Sequence, residues 1–248
     1  YICAQQSYYS TYLYDVQKMI VGIIPARKNS KRIKNKNIKI FNGKPIIAWT
    51  IEKAIKSNIF DKIIVSTDSD KIANISLKYG AEINFKRPKN LSDDYSTLVD
   101  VMAHASGKCN DLFNQPDYAC LLFATAPFIS SQNLKEGFKK IKSNKFDYVL
   151  AISKFDFPIQ RGLMLIENKI KMINQKNFLK RSQDLLETFH DAGQFCFGKS
   201  KNWIKKKNIF NSDTSFVEID KWRCQDIDNL NDWRMAEKLF KLNFNEIK

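Results

Sequence analysis

Val21-Gly22-Ile23-Ile24-Pro25-Ala26, followed at once by Arg27-Lys28-Asn29-Ser30-Lys31-Arg32-Ile33-Lys34-Asn35-Lys36-Asn37-Ile38-Lys39, is the stretch from which the fold is read. Its first part is short, apolar and β-branched, the pattern of a strand buried on both faces. Its second part carries Lys or Arg at seven of thirteen positions, and the next acid along the chain is Glu52. A buried strand that opens into such a loop suits a polyphosphate. Side-chain cations neutralise phosphate oxygens, and loop N–H groups donate to them. A solvated basic turn or a nucleic-acid patch are the competing readings. GxxxxGK[ST] is absent, so this is not a Walker loop. Aromatic residues are absent from 27–39, which weakens a single-strand-binding role.

Outward from this stretch, apolar periodicity alternates between the two kinds of element. The spacing of Ile47, Ile51, Ala54 and Ile55 predicts a helix from Pro45 to Ser57. Lys62–Asp68 reads as a strand, 70–79 as a helix stopped by Gly80, and Glu82–Phe85 as a short strand. A helix over 95–106, a strand over 118–123, a helix over 131–143 and a strand over 147–152 continue the series. This alternation predicts an α/β fold: a Rossmann-like, mostly parallel sheet with helices on both faces. Ligands of such sheets sit outside the carboxyl ends of the strands, here the loops after 26, 68, 123 and 152.

Residues 154–210 interrupt the alternation. Gly162–Ile166 and Lys169–Ile173 predict an antiparallel hairpin around Asn168-Lys169, and Phe195–Phe197 a further strand. This part is expected to be a small inserted antiparallel arm or dimerisation region. A strand over 216–219 and a helix over 229–241 complete the chain. Residues 1–18 lack both a basic and an apolar signal-peptide region and are expected to form a poorly ordered extension ahead of Met19. A single domain is expected over 19–242, with 243–248 as a tail.

The 248 residues hold 41 Lys+Arg against 26 Asp+Glu, a net charge of +15. That balance invites a nucleic-acid partner, but abundant Lys, Asn and Ile with only 8 Gly also look like compositional bias. No apolar run is long enough to span a bilayer. Cysteines at 3, 109, 120, 196 and 224 form no paired framework, which fits a reducing, cytoplasmic setting without disulfides. Two histidines exclude a multi-His zinc site, so a metal would be held by carboxylates, as suits Mg²⁺.

The order of residues carries a resemblance. Ile24-Pro25-Ala26-Arg27, Ser30-Lys31, Lys36-Asn37, Gly43-Lys44-Pro45-Ile46, Val65-Ser66-Thr67-Asp68-Ser69, Tyr79-Gly80-Ala81-Glu82, Arg87-Pro88 and Asp226-Ile227-Asp228 jointly resemble the nonulosonic-acid cytidylyltransferases, the family of the CMP-sialic acid synthetases. The resemblance spans about 19–242. It implies a nucleotidyltransferase of GT-A-like fold that transfers CMP from CTP to the anomeric hydroxyl of an acidic nine-carbon sugar, releasing pyrophosphate with Mg²⁺. It also implies a homodimer whose arms reach across, with no nucleic-acid or membrane partner, and a product destined for surface or flagellar glycosylation. The loop Arg27–Ile33 and the segment Phe189–Phe195 favour pseudaminic acid as the sugar. N-acetylneuraminic or legionaminic acid is the alternative. A non-catalytic nucleotide- or nucleic-acid-binding module is the reading from another class.

By this resemblance Arg27, Lys31 and Lys36 contact phosphates, with Arg27 and Lys36 stabilising the α-phosphate and leaving group. Ser30 and Asn37 position the nucleotide, and Arg87 meets its cytosine end beside Ser96 and Thr97. Asp226 and Asp228 are the metal ligands. Spaced i, i+2, they share one side if the segment is extended. Read alone, Asp228 is the N-cap of the last helix; the resemblance makes it a metal ligand, and the two roles are compatible. Arg181 binds the sugar carboxylate, and His190, Asp191 and Gln194 read the rest of the sugar, with Gln160 and Arg161 as weaker candidates. Phe123 stands where sialic acid enzymes carry a ligand-holding Gln, so that role is not transferred.

Overall fold

The computed structural model describes residues 18–247, with side chains to 242. The expected extension therefore lies outside the described residues except for Lys18. The first unit is the strand β1 (Ile20–Pro25), a small hairpin of β2 (Ile40–Phe41) and β3 (Lys44–Pro45), and helix α1 (Ile46–Ser57). Strand β4 (Lys62–Ser66) leads to α2 (Asp70–Lys78), whose N-cap Ser69 accepts from Ile72 N–H. Then come α3 (Leu98–Leu112), β5 (Tyr118–Leu122), α4 (Ser131–Lys142) and β6 (Tyr148–Lys154). The arm hairpin is β7 (Leu163–Ile166) with β8 (Lys169–Met172). The chain closes with β9 (Phe189–Lys199), α5 (Ser200–Ile204), β10 (Thr214–Glu218) and α6 (Leu230–Ile247).

The main sheet has the order β10-β6-β9-β5-β1-β4. β1 pairs in parallel with β4 and β5, and β10 with β6, while β9 runs antiparallel between β5 and β6. This is the expected mostly parallel sheet. Along β1 the side chains alternate: Ile20 and Ile24 enter one core, Val21 and Ile23 the other. The first core takes Ile47, Ile51 and Ala54 of α1, Ile72 of α2, and Leu134 and Ile141 of α4. The second takes Met102, Ala105 and Cys109 of α3 and Trp203 of α5. Helices thus cover both faces, which is why the strands read as continuous apolar runs. Gly198 in β9 allows the second core to close. A Cβ there would stand 2.5 Å from Trp203 Nε1 and 2.7 Å from the Tyr148 ring, and the Trp203 N–H donates to Ala119 O at 3.0 Å.

Several expectations are corrected. Glu82–Phe85 makes a single bridge, Ile64 to Glu82, because the chain then turns inward to bury Arg87, whose N–H donates to Thr67 O. The helix expected over 95–106 starts at Leu98 and runs to Leu112. A capping box between Thr97 and Asp100 sets its start, and residues 93–96 form a turn around Asp93. The hairpin turn lies one residue earlier than expected, with Glu167 and Asn168 both at positive φ. Within 154–210, the segment from Phe189 to Lys199 is an inner strand of the main sheet rather than part of a separate arm. The last helix continues to Ile247 instead of ending at 241.

A third, smaller core positions the basic loop. Ile33 of that loop and Ile227 are both buried against Phe41, Trp49, Trp233 and Phe240. Phe41 meets Trp233 and Phe240 edge-on at 5.5 and 5.4 Å. One apolar anchor therefore holds both the loop of cations and the segment that carries Asp226 and Asp228.

Candidate active site

The basic loop leaves β1 at Pro25 and is pinned from within. Buried Asn37 donates from Nδ2 to Arg27 O at 3.0 Å, and Asn35 adopts a left-handed turn ahead of the short helix at Lys36. The result is a cavity of about 310 Å³ at the carboxyl end of β1. Arg27, Ser30, Lys31, Lys36, Asn37, Arg87, Ser96 and Asp228 all line it. Eight of the predicted residues, far apart in sequence, thus meet at one site. Thr97 instead caps α3. Asp226 does not line the cavity, but it lies near enough to Lys36 to act on its charge.

The cations are held by two carboxylates. Asp94 accepts from Arg27 Nη1 at 2.7 Å and pairs with Lys31. Asp228 pairs with Arg32 at 2.7 Å and lies 3.9 Å from Lys36. Burial lowers the pKa of the Lys36 ammonium, and Asp228 and Asp226 partly offset this. Burial also brings the Arg87 guanidinium down to about 10, opposed by Asp68. Arg87 Nε donates to Ser66 Oγ at 3.2 Å and Nη2 to Ser66 O, so this cation is fixed to the end of β4. Asp228 does not cap the last helix. Asn229 does: its Oδ1 accepts from Asp232 N–H at 3.0 Å, and Asp232 accepts in return from Asn229 and Asp228 N–H. That frees the Asp228 carboxylate to face the cavity.

A second cleft of about 900 Å³ opens at the end of β6. It is lined by residues 153–159, Arg161, Gly162, Leu163, Ser182, His190, Lys221 and Cys224. His190 reaches it because β9 is antiparallel: its first residues lie beside the last residues of β6, with Ser153 opposite His190 and Ile152 opposite Asp191. The His190 ring packs 4.8 Å from Phe155. Asp191 accepts from Gly193 N–H at 2.7 Å, and its surroundings hold its carboxyl above the usual range through desolvation. Gln194 is buried and donates to Arg223 O at 2.7 Å, while its Oε1 has no partner. Asp191 and Gln194 line neither cavity. Arg181 is exposed on the arm, pairs with Asp184 at 2.9 Å, and likewise lines neither. The segment from Lys221 to Asp228 runs from one cavity to the other.

Sequence reasoning missed Arg32, Asp93, Asp94 and Thr125 of the smaller cavity, and Lys154 and Lys221 of the larger. One signal was readable: Asp93-Asp94-Tyr95-Ser96 ahead of a capping Thr is a turn with acids facing a basic loop. Cys109, Cys120 and Cys196 are buried and unpaired; burial pushes the Cys109 thiol up to about 12.

A mostly parallel sheet with a basic, nucleotide-sized cavity at its carboxyl edge defines a nucleotidyltransferase-like α/β protein. The chain matches the family model described as cytidylyltransferase over residues 21–223, and it belongs to that family. Over 222 residues it is 41% identical to the pseudaminic acid cytidylyltransferase of Campylobacter jejuni, covering 89% of this chain and 96% of the relative. It is 28% identical over 218 residues to the N-acylneuraminate cytidylyltransferase of Escherichia coli, covering 88% of this chain and 51% of that protein. Among solved structures, CMP:2-keto-3-deoxy-manno-octonic acid synthetase complexed with CTP superposes with a TM-score of 0.69 at 12% identity, covering 91% of this chain and 99% of that one. That likeness carries the fold. No helix among the described residues is long and apolar enough to cross a membrane.

Proposed function

We propose that the protein transfers CMP from CTP to the anomeric hydroxyl of pseudaminic acid, giving CMP-pseudaminic acid and pyrophosphate. The observation that carries this is the convergence of Arg27, Lys31, Lys36 and Arg87 with Asp228 on one cavity, in a chain similar over most of its length to an enzyme named for that reaction.

The hydroxyl oxygen bonds to the α-phosphorus and gives up its proton to solvent, while the bond from the α-phosphorus to the oxygen bridging to the β-phosphate breaks and pyrophosphate leaves. Negative charge then grows on the leaving pyrophosphate. Arg27 and Lys36 are placed to neutralise it, and fixed cations in a restricted cavity need little reorganisation to do so. Lys31 adds charge at the open rim. Ser30 and Asn37 orient the nucleotide, and Arg87, tied to Ser66, is a rigid donor for its base-proximal part. Mg²⁺ suits Asp226 and Asp228 by chemistry, since both offer hard oxygens. Among the described residues no group of three or more His, Cys, Asp or Glu could hold a metal ion, so phosphate oxygens and water would complete the shell. When bound, Mg²⁺ would supply further charge neutralisation on the phosphates.

The larger cleft takes the sugar, with His190 beside Phe155 and with Arg161 and Lys221 near its carboxylate. Asp191, accepting from Gly193 N–H, and Gln194, donating to Arg223 O, brace this end of β9. Arg181 serves a second subunit: it stands on the arm, where Leu163, Leu165 and Ile170 leave an apolar face exposed. We assign that face to a homodimer contact that brings Arg181 to the partner's sugar. The domain then comprises 19–247, because α6 continues to Ile247, with the arm limited to about 154–188.

Pyrophosphate release with CTP, Mg²⁺ and each sugar in turn tests this reading. Turnover with pseudaminic acid is expected. Turnover with N-acetylneuraminate alone moves the substrate to the alternative. Salt-sensitive nucleic-acid binding without CTP turnover overturns the enzyme reading.

A further inference from the structure

Asp94 has no part in the reaction just described, yet it sits among the groups that must hold the triphosphate. One carboxylate takes up two cations of the cavity, Arg27 at 2.7 Å and Lys31. Its backbone is fixed. Asp93 Oδ1 accepts from Tyr95 N–H at 3.0 Å, from Ser96 N–H at 2.8 Å and from the Ser96 hydroxyl at 2.7 Å, and Ser96 Oγ also lies 3.0 Å from Asn90 O. The same Arg27 nitrogen that meets Asp94 also donates to Asp93 O. The turn over 89–97 is therefore docked onto the basic loop through Arg27.

We infer that Asp94 is a positioning residue that acts as a displaceable stand-in for phosphate, holding Arg27 and Lys31 in place before substrate binds and giving them up to its polyphosphate. This rests on the nucleotide reading of the cavity. The chemistry is an exchange of anions. A triphosphate brought against Arg27 and Lys31 meets the like charge of Asp94 at close range, so both cannot hold the same two cations. Ion pairs with Arg27 and Lys31 keep Asp94 ionised, so protonation does not relieve the conflict. Arg27 and Asp94 are each about one-third exposed, and Lys31 is 75% exposed. The contact is therefore weak enough to be exchanged rather than locked. Asp228 differs, because a metal reading gives it a reason to stay when the nucleotide is bound. The turn supplies order before binding, and the return of its carboxylate to Arg27 and Lys31 helps pyrophosphate leave.

The probe is inorganic pyrophosphate, titrated calorimetrically against the full chain and against Asp94→Asn. Loss of the competing charge should tighten pyrophosphate binding by about tenfold, two exposed ion pairs' worth, with D94E restoring the parental value. Damage to folding or to the shape of the cavity moves affinity the other way. Unchanged or weaker binding in D94N overturns the inference. Hydrogen exchange of the unaltered protein provides a second measurement that needs no variant. Amides of 89–97 should exchange faster when pyrophosphate binds, and slower exchange there counts against displacement. If the unaltered protein binds neither pyrophosphate nor CTP, the nucleotide reading fails along with this one. If it binds both but D94N changes nothing, only the role of Asp94 falls.

Discussion

The two cavities at the carboxyl edge of the sheet are built on opposite plans. The smaller is lined by charge, and its principal cations already have anionic or backbone partners in the single chain. The larger is walled partly by the arm, with Phe155, Phe157, Ile159 and Leu163 around a few cations, and it opens beside exposed apolar residues. A group that binds phosphate can be assembled by one loop, because charge acts over several ångströms and needs few neighbours. A site for a sugar needs walls, and walls need elements brought from a distance. The nucleotide half is therefore expected to work in a lone chain, and the sugar half to depend on the arm.

The sharpest test of that contrast is Arg27→Ala. Turnover should fall by about 10²–10³, the loss typical of one preorganised charge-stabilising donor, while thermal stability stays close to that of the parent because Arg27 lies at the cavity rim. A small loss would mean that Lys31 and Lys36 share its work. Next comes the arm. Leu165→Glu combined with Ile170→Glu should convert a dimer to a monomer in sedimentation and raise the KM for sugar by about tenfold, leaving pyrophosphate binding unchanged. If nucleotide binding drops with it, the two halves are not separable.

Lys36 gives a pH test. Its folded-state pKa is lowered, chiefly by burial, so the ammonium loses its proton at lower pH than an ordinary lysine. The alkaline limb of kcat/KM should therefore lie below 10.5, as read from initial rates across pH. Stability should rise through the same window, because burying the charged form costs more than burying the neutral one. The smallest expected effect separates cap from metal ligand. Asn229→Ala should cost about 1 kcal/mol in urea unfolding, whereas Asp228→Asn should leave stability nearly unchanged and reduce turnover.

Much of the nucleotide half was legible because its signals are local. The cation-rich loop is contiguous, and it follows a strand whose apolar run announces burial on both sides. The partners of those cations were not legible. Asp94 reaches Lys31 only because Arg87 draws its segment inward, and no periodicity records that turn. Asp228 was open to two readings, and the choice fell to its neighbour, since Asn229 supplies the cap. On the sugar side, Phe189–Gln194 was recognisable as a segment of interest, but the role of Arg181 has no support within one chain.

The sequence by itself determined the alternation of buried strands and amphipathic helices, and with it the doubly covered sheet. It also determined the dense positive charge of the first loop, because charge density and apolar periodicity are properties of neighbouring residues. Only the tertiary structure decided that β9 enters the middle of the sheet antiparallel, which brings His190 to the same edge as Arg27. It also carried Asp228 to within 2.7 Å of Arg32, 196 residues away in sequence. Strand direction and such long-range pairing follow from how the cores close around Ile227, Ile33 and Trp203. Those are contacts between distant parts of the chain, and no short stretch of sequence contains them.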